Sequence, residues 1–193
     1  MVFSISCFAM IAHAWRITPE LERELSEKRA AYRANPGDAH TIFDLAITCA
    51  YTNRIEEGLE LLRRTEKADP GFKDKARVFY ARKVTGSPND WRLRFRYAFS
   101  LYFAGNKEEA IKEMRNVLVI DPYNVWAYGY IALIYGEMGE TDKAIEAAKA
   151  GLEIDNLVAA LHLLLSQGYY RKGNAWAGFF SAAQALRLKA QGY

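Results

Sequence analysis

The chain is poor in the residues from which metal centres and compact active sites are built. It has two cysteines, Cys7 and Cys49, and three histidines, His13, His40 and His162, among 193 residues. None of them stands at the spacing of a metal site. There is no glycine-rich phosphate loop, dinucleotide fingerprint, His-Glu-x-x-His pair or nucleophile elbow, and no serine, histidine and aspartate fall in a triad-like pattern. The sequence therefore points away from an enzyme and asks for no metal and no cofactor. A net charge of +3 is too small to argue for nucleic acid by itself. No apolar run reaches the ~20 residues of an unaided membrane-spanning helix. Proline is also scarce, with five residues; Pro19 sits at a helix start, while Pro36 and Pro88 sit at helix stops.

What the chain does have is internal repetition. Two 34-residue blocks, 91–124 and 125–158, align without a gap. Their eighth positions are Ala98 and Ala132, their fifteenth Gly105 and Gly139, and their twentieth Ala110 and Ala144. Small residues at the eighth and twentieth positions let two helices cross closely, and the glycine between them supplies the left-handed backbone that ends the first helix. Asp90 and Asn124 precede the blocks as N-caps. Each block thus reads as a helical hairpin. The same frame finds Ala46, Asn53, Gly58 and Pro70 in a copy from Ala39, and Ser166, Gly173 and Gly178 in a copy from Ala159.

These offsets resemble the signature of the tetratricopeptide repeat. The match is a divergent one: the family's fourth-position tryptophan is replaced by Ile42, Arg94, Tyr128 and His162, and only Tyr135 and Tyr169 keep its eleventh-position tyrosine. The resemblance implies an all-α, right-handed superhelix of about four repeats. The expected organisation is an apolar segment at 1–15, a capping helix at 16–38, repeats at 39–72, 91–124, 125–158 and 159–193, and an inserted helix at 73–90. His162 then falls at a core position, as a packed histidine rather than a ligand.

The N-terminus has competing readings. Residues 1–15 carry no formal charge. Ala12-His13-Ala14 looks like a signal-peptidase site, although the basic leader is missing. Alternatively, counting back 34 from Pro70 reaches Pro36, which would close an earlier, degenerate copy starting at Ile5. The compartment is thereby left open between the cytoplasm and an exported or membrane-associated state.

Two surfaces carry functional expectations. In the family, the second, fifth, ninth, twelfth and thirteenth positions line a concave groove. Here they supply a partner-binding set of Phe43, Ile47, Tyr51, Phe95, Phe99, Tyr102, Phe103, Trp126, Leu133 and Tyr170, with Gly129 and Gly136 leaving space beside a Phe95/Phe99 wall. Phe43 and Ile47 replace two residues of the family's carboxylate clamp, which argues against a chaperone's acidic C-terminus as the ligand. The competing expectation is that Phe79 and Tyr80 of the inserted helix cover these rings. The second surface is basic: Lys73, Lys75, Arg77, Arg82, Lys83, Arg92, Arg94 and Arg96 face only Asp74 and Asp90 within 73–96, an anion-binding patch unless neighbouring glutamates neutralise it.

The expected function is a non-catalytic scaffold or adaptor that binds an apolar peptide or helix of a protein partner. The alternative is a membrane-associated or exported adaptor anchored by the apolar N-terminus and the basic stretch. Self-association by repeat stacking is a further expectation, and nucleic acid is not a favoured partner.

Overall fold

The computed structural model describes residues 17–193. The signal-peptide, anchor and degenerate-helix readings of the N-terminus all lie outside the described residues. Within them the chain is all-α, with ten helices: α1 (Pro19–Ala34), α2 (Ala39–Ala50), α3 (Ile55–Ala68), α4 (Phe72–Gly86), α5 (Trp91–Phe103), α6 (Lys107–Ile120), α7 (Val125–Glu137), α8 (Thr141–Ile154), α9 (Ala159–Arg171) and α10 (Ala175–Ala190).

Local chemistry sets the helix ends. The Thr18 hydroxyl accepts from Leu21 N at 3.3 Å, the Asp38 carboxylate from Thr41 N at 2.8 Å, Asp90 from Arg92 N at 2.9 Å and Asn124 Oδ1 from Ala127 N at 3.2 Å. Each satisfies an amide that the first helical turn leaves without a partner. Among the described non-glycine residues only Asn53 has a positive φ, +56°, and it shares the fifteenth repeat position with Gly105 (+85°), Gly139 (+80°) and Gly173 (+75°). In each case the following amide reaches back five residues: Asn106 N to Leu101 O at 2.9 Å, Glu140 N to Tyr135 O at 3.0 Å, Asn174 N to Tyr169 O at 2.9 Å and Arg54 N to Cys49 O at 3.0 Å. Four helices therefore end in one hydrogen-bonded device repeated along the chain.

The helices pack as consecutive pairs. The hairpins are α2/α3, α5/α6, α7/α8 and α9/α10, and each is joined to the next through sequence neighbours: α6 on α7, and α8 on α9. Small residues stand at the crossings, where Ala46, Ala98, Ala110 and Ala132 are buried. At Gly58 a Cβ would stand only 3.0 Å from the Ala46 carbonyl. α7 is apolar on nearly every side because α6, α8 and α9 surround it. Hairpin order is broken once, at α4, which packs extensively on α5 but barely touches α3. The result is a helical-repeat solenoid with one extra helix between its first and second hairpins.

Candidate functional site

Most of the aromatic wall anticipated as an open groove is core. Phe43, Ile47, Tyr51, Phe95, Phe99 and Trp126 are all buried. Phe43 is covered by α4, its ring centroid 5.4 Å from both Phe72 and Tyr80. Phe95 and Phe99 are covered instead by Tyr130 of α7, at 5.6 and 4.5 Å, and Tyr51 adds an edge against Phe95 at 5.3 Å. The space expected beside this wall is therefore filled from within the chain. Tyr130 sits at the sixth repeat position, between the two helix faces, so a two-face assignment of the helix passes over it. Phe79 packs on His40 and Tyr80 and does not reach the α5 rings.

The basic residues are likewise not one patch. Arg96 is buried. Arg92 pairs with Glu24 and Arg94 with Glu113, both at 2.8 Å. Lys75 pairs with Asp69 at 2.8 Å, Lys73 with Glu66, and Arg77 stands 3.8 Å from Asp74. Lys83 lies over the Phe79 ring at 5.4 Å, and with Arg82 it borders an exposed depression beside His40. Glu24 of α1 and Glu113 of α6, distant in sequence, together with the nearby Glu66, Asp69 and Asp74, neutralise most of the stretch, and Arg96 is buried out of a ligand's reach.

Arg96 instead organises a buried polar junction that sequence reasoning missed. Its Nη2 donates to Glu24 Oε1 at 2.8 Å, Thr48 Oγ1 at 2.9 Å and Tyr51 Oη at 3.0 Å. Its Nε lies 3.1 Å from Asp44 Oδ1. Asp44 also accepts from Tyr80 Oη at 2.6 Å and pairs with Lys28 at 2.5 Å. The signal was the Arg-x-Arg-x-Arg run: on a helix, residues 92 and 96 share one face, where both meet Glu24, and residue 94 points away to Glu113, so the three do not form one solvated face. Cys49, also buried, has its thiol pushed up to about 12 by burial and by the nearby Glu57 carboxylate, which leaves it unreactive.

What remains open of the anticipated face lies on the later repeats. Tyr102, Phe103, Leu133 and Gly136 are half-buried, while Glu137, Leu163, Gln167, Tyr170 and Arg171 are exposed. A cavity of about 100 Å³ lies here, lined by Leu133, Gly136, Glu137, Leu164, Gln167 and Arg171 among others. Its polar rim is fixed from two sides. Tyr102 Oη donates to Glu137 Oε1 at 2.6 Å, and burial together with that carboxylate pushes the phenol well above its usual range, so the hydroxyl stays a donor. Lys107 Nζ holds the other Glu137 oxygen at 3.0 Å. Arg171 Nη1 donates to the Gly136 carbonyl, where a cation suits the negative end of α7. At Gly136 a Cβ would stand 3.6 Å from that guanidinium. Chemically, the face offers a small pocket between an apolar floor and one fixed charge of each sign.

No protein-family model matches the sequence, and no curated protein matches it. Solved structures do. A double mutant of MamA from RS-1 superposes with a TM-score of 0.58 at 17% identity, covering 89% of this chain and 86% of that one. A crystal structure of MamA gives 0.52 at 17% identity, covering 89% and 90%. The chain shares the MamA fold. At this identity the likeness concerns architecture, and the roles of individual residues rest on the geometry above.

Proposed function

We propose that the protein is a non-catalytic binding module of tetratricopeptide-repeat type, and that the open face of α7 and α9 takes an apolar side chain from a segment of a partner protein. The observation that carries this reading is the cavity beside Leu133, on an apolar floor and rimmed by Glu137 and Arg171. Leu163 and Tyr170, also on α9, add exposed apolar surface outside the cavity, at 50% and 49% exposure. Side chains of the facing helices are held in place by hydrogen bonds, so little ordering is lost when a ligand docks. A short helix or extended peptide with one aliphatic anchor and flanking charges of both signs fits this surface.

A peptide library displayed against the immobilised chain tests it. Selected peptides are expected to share an aliphatic anchor and to lose at least about tenfold in affinity on Leu163→Glu or Arg171→Glu, with the helical circular dichroism of each variant unchanged. Peptides that bind both variants as well as the wild type would place the site elsewhere.

A further inference from the structure

The last hairpin carries an apolar face with no described neighbour. From Gly173 to Leu186 the sequence has no charged residue. One side of α10 packs on α9 through Gly178, Ala185 and Leu188, and the Ser166 hydroxyl donates to the Gly178 carbonyl at 2.8 Å. The opposite side presents Trp176, Phe179, Phe180, Ala183 and Leu186 to solvent; Trp176 is 76% exposed, Phe180 64% and Leu186 70%. Trp176 stacks on Phe180 with centroids 6.4 Å apart, and Phe180 meets Phe179 at 5.8 Å, so the rings form one surface. It leaves on the order of 500 Å² of apolar area in water, towards the upper end of the largest patch on an ordinary monomer.

We propose that this face is the contact between two copies of the chain, α10 against α10 in an antiparallel, two-fold pair. Its area chooses that occupant first: two such faces bury on the order of 1,000 Å² together, where specific interfaces begin. The face is also self-complementary. About a two-fold axis at Ala183, Phe180 comes opposite Leu186 of the second copy, Trp176 opposite Ala190, Phe179 opposite Arg187 as a ring beneath a single guanidinium, and Ala183 opposite itself, which puts a small residue at the crossing point. Among the described residues, the far end of the solenoid offers no comparable surface. The exposed residues of α1 include Glu22, Arg23, Glu27 and Arg33, and stacking the molecules end to end would desolvate those charges against aromatic rings. The face excludes Leu133, Glu137 and Arg171, so self-association and partner binding are separable by mutation.

Sedimentation equilibrium of the full chain tests the pairing. The wild type is expected at twice its 21.9 kDa mass, and Phe180→Asp is expected to raise the dissociation constant at least about 30-fold while helical circular dichroism stays unchanged. Ala183→Cys in a Cys7→Ser background is expected to oxidise to a linked dimer, and Glu27→Cys in the same background is not. A monomeric wild type overturns the proposal. So does a dimer that survives both Phe180→Asp and Trp176→Asp, or one lost on deleting residues 1–16 but kept in those variants, which would assign the association to the N-terminal segment. Loss of helix in Phe180→Asp would place that ring in the fold and overturn it equally.

Discussion

Arg96 and Glu24 are 72 residues apart in sequence and 2.8 Å apart in space, guanidinium Nη2 on carboxylate Oε1. Asp44, Thr48 and Tyr51 complete the same buried junction, so α1, α2 and α5 meet on one cation, and Tyr80 ties α4 to it through Asp44. Removing the cation leaves the half-buried Glu24 and Asp44 carboxylates and the Thr48 and Tyr51 hydroxyls without their shared donor, with Arg92 and Lys28 as the remaining counter-charges. Arg96→Gln is expected to cost about 3–5 kcal/mol, read as a lower urea midpoint. A midpoint unchanged from wild type would show that the junction contributes no net stability.

The same junction sets a pH dependence with a definite sign. Burial raises the carboxyls of Glu24 and Asp44, but Arg96, helped by the Tyr51 hydroxyl at Glu24 and by Lys28 at Asp44, outweighs it and holds both below the usual carboxylate range. A group depressed in the folded state contributes stability that is complete above its unfolded value, about 4, and is lost as pH falls through the folded value. The wild-type melting midpoint is therefore expected to be flat from roughly pH 7 to 5 and to drop below about pH 4. In Arg96→Gln the strongest counter-charge is gone while Arg92 at Glu24 and Lys28 at Asp44 remain, so both carboxyls move up towards their unfolded values and the acid loss of stability is expected to be smaller than in wild type. Thermal scans of both proteins that run parallel across this range would contradict the assignment.

Phe99 and Leu163 were both groove positions by repeat register, yet only one is open to solvent. Phe99 is buried under Tyr130, so Phe99→Glu is expected to cost at least about 4 kcal/mol, a lost ring plus a buried charge. Leu163→Glu, half-exposed, is expected to stay within about 1 kcal/mol of wild type. Similar denaturant midpoints for the two variants would mean that the α5 rings are accessible after all.

Ala98 faces Ala110 with both side chains fully buried. Ala98→Leu is expected to force the α5/α6 hairpin apart at roughly 1–3 kcal/mol. Lys112→Ala, on the exposed side of α6, should change stability by less than about 0.5 kcal/mol. Differential scanning calorimetry separates them, and equal melting temperatures would refute the hairpin register.

Two glycines with open space around them should respond in opposite directions to the same substitution. No atom lies within 4 Å of a Cβ built at Gly105 or Gly86, but Gly105 has φ +85° and Gly86 ends α4 without a left-handed φ. Gly105→Ala is expected to destabilise by about 1–2 kcal/mol, and Gly86→Ala to stabilise by about 0.4–1 kcal/mol by restricting the unfolded chain. Chemical denaturation of both reads the difference, and a stabilised Gly105→Ala would exclude the left-handed turn.

The fold was legible because its determinants are local. Thr18, Asp38, Asp90 and Asn124 announce helix starts, and Asn53, Gly105, Gly139 and Gly173 announce stops, through bonds made within six residues along the chain. The site was less legible because exposure is a tertiary property. Register alone cannot show that Tyr130 reaches across to Phe99, or that Glu24 and Glu113 neutralise arginines far away in sequence. Leu133 and Tyr170 remained on the open face because no bulky ring from a neighbouring helix covers them. The α10 stripe had a usable signal, aromatic residues at i, i+3 and i+4 in an uncharged segment, but an apolar helix face reads the same whether its partner lies inside or outside the chain.

The Arg96 junction also limits how modular this array is. A hairpin such as α7/α8 packs mainly on its neighbours, with Tyr130 Oη reaching further, to the Ala50 carbonyl of α2 at 3.5 Å, and an array of that kind tolerates gain or loss of a 34-residue unit because every boundary repeats the last. The stretch from α1 to α5 does not divide that way. Arg96 of α5 bonds α1 and α2 at once, with Tyr80 of α4 closing the set, so shortening the N-terminal side by one helix uncovers a buried guanidinium–carboxylate pair instead of exposing a new end. The protein is thus a solenoid that can be edited at one end and is indivisible at the other.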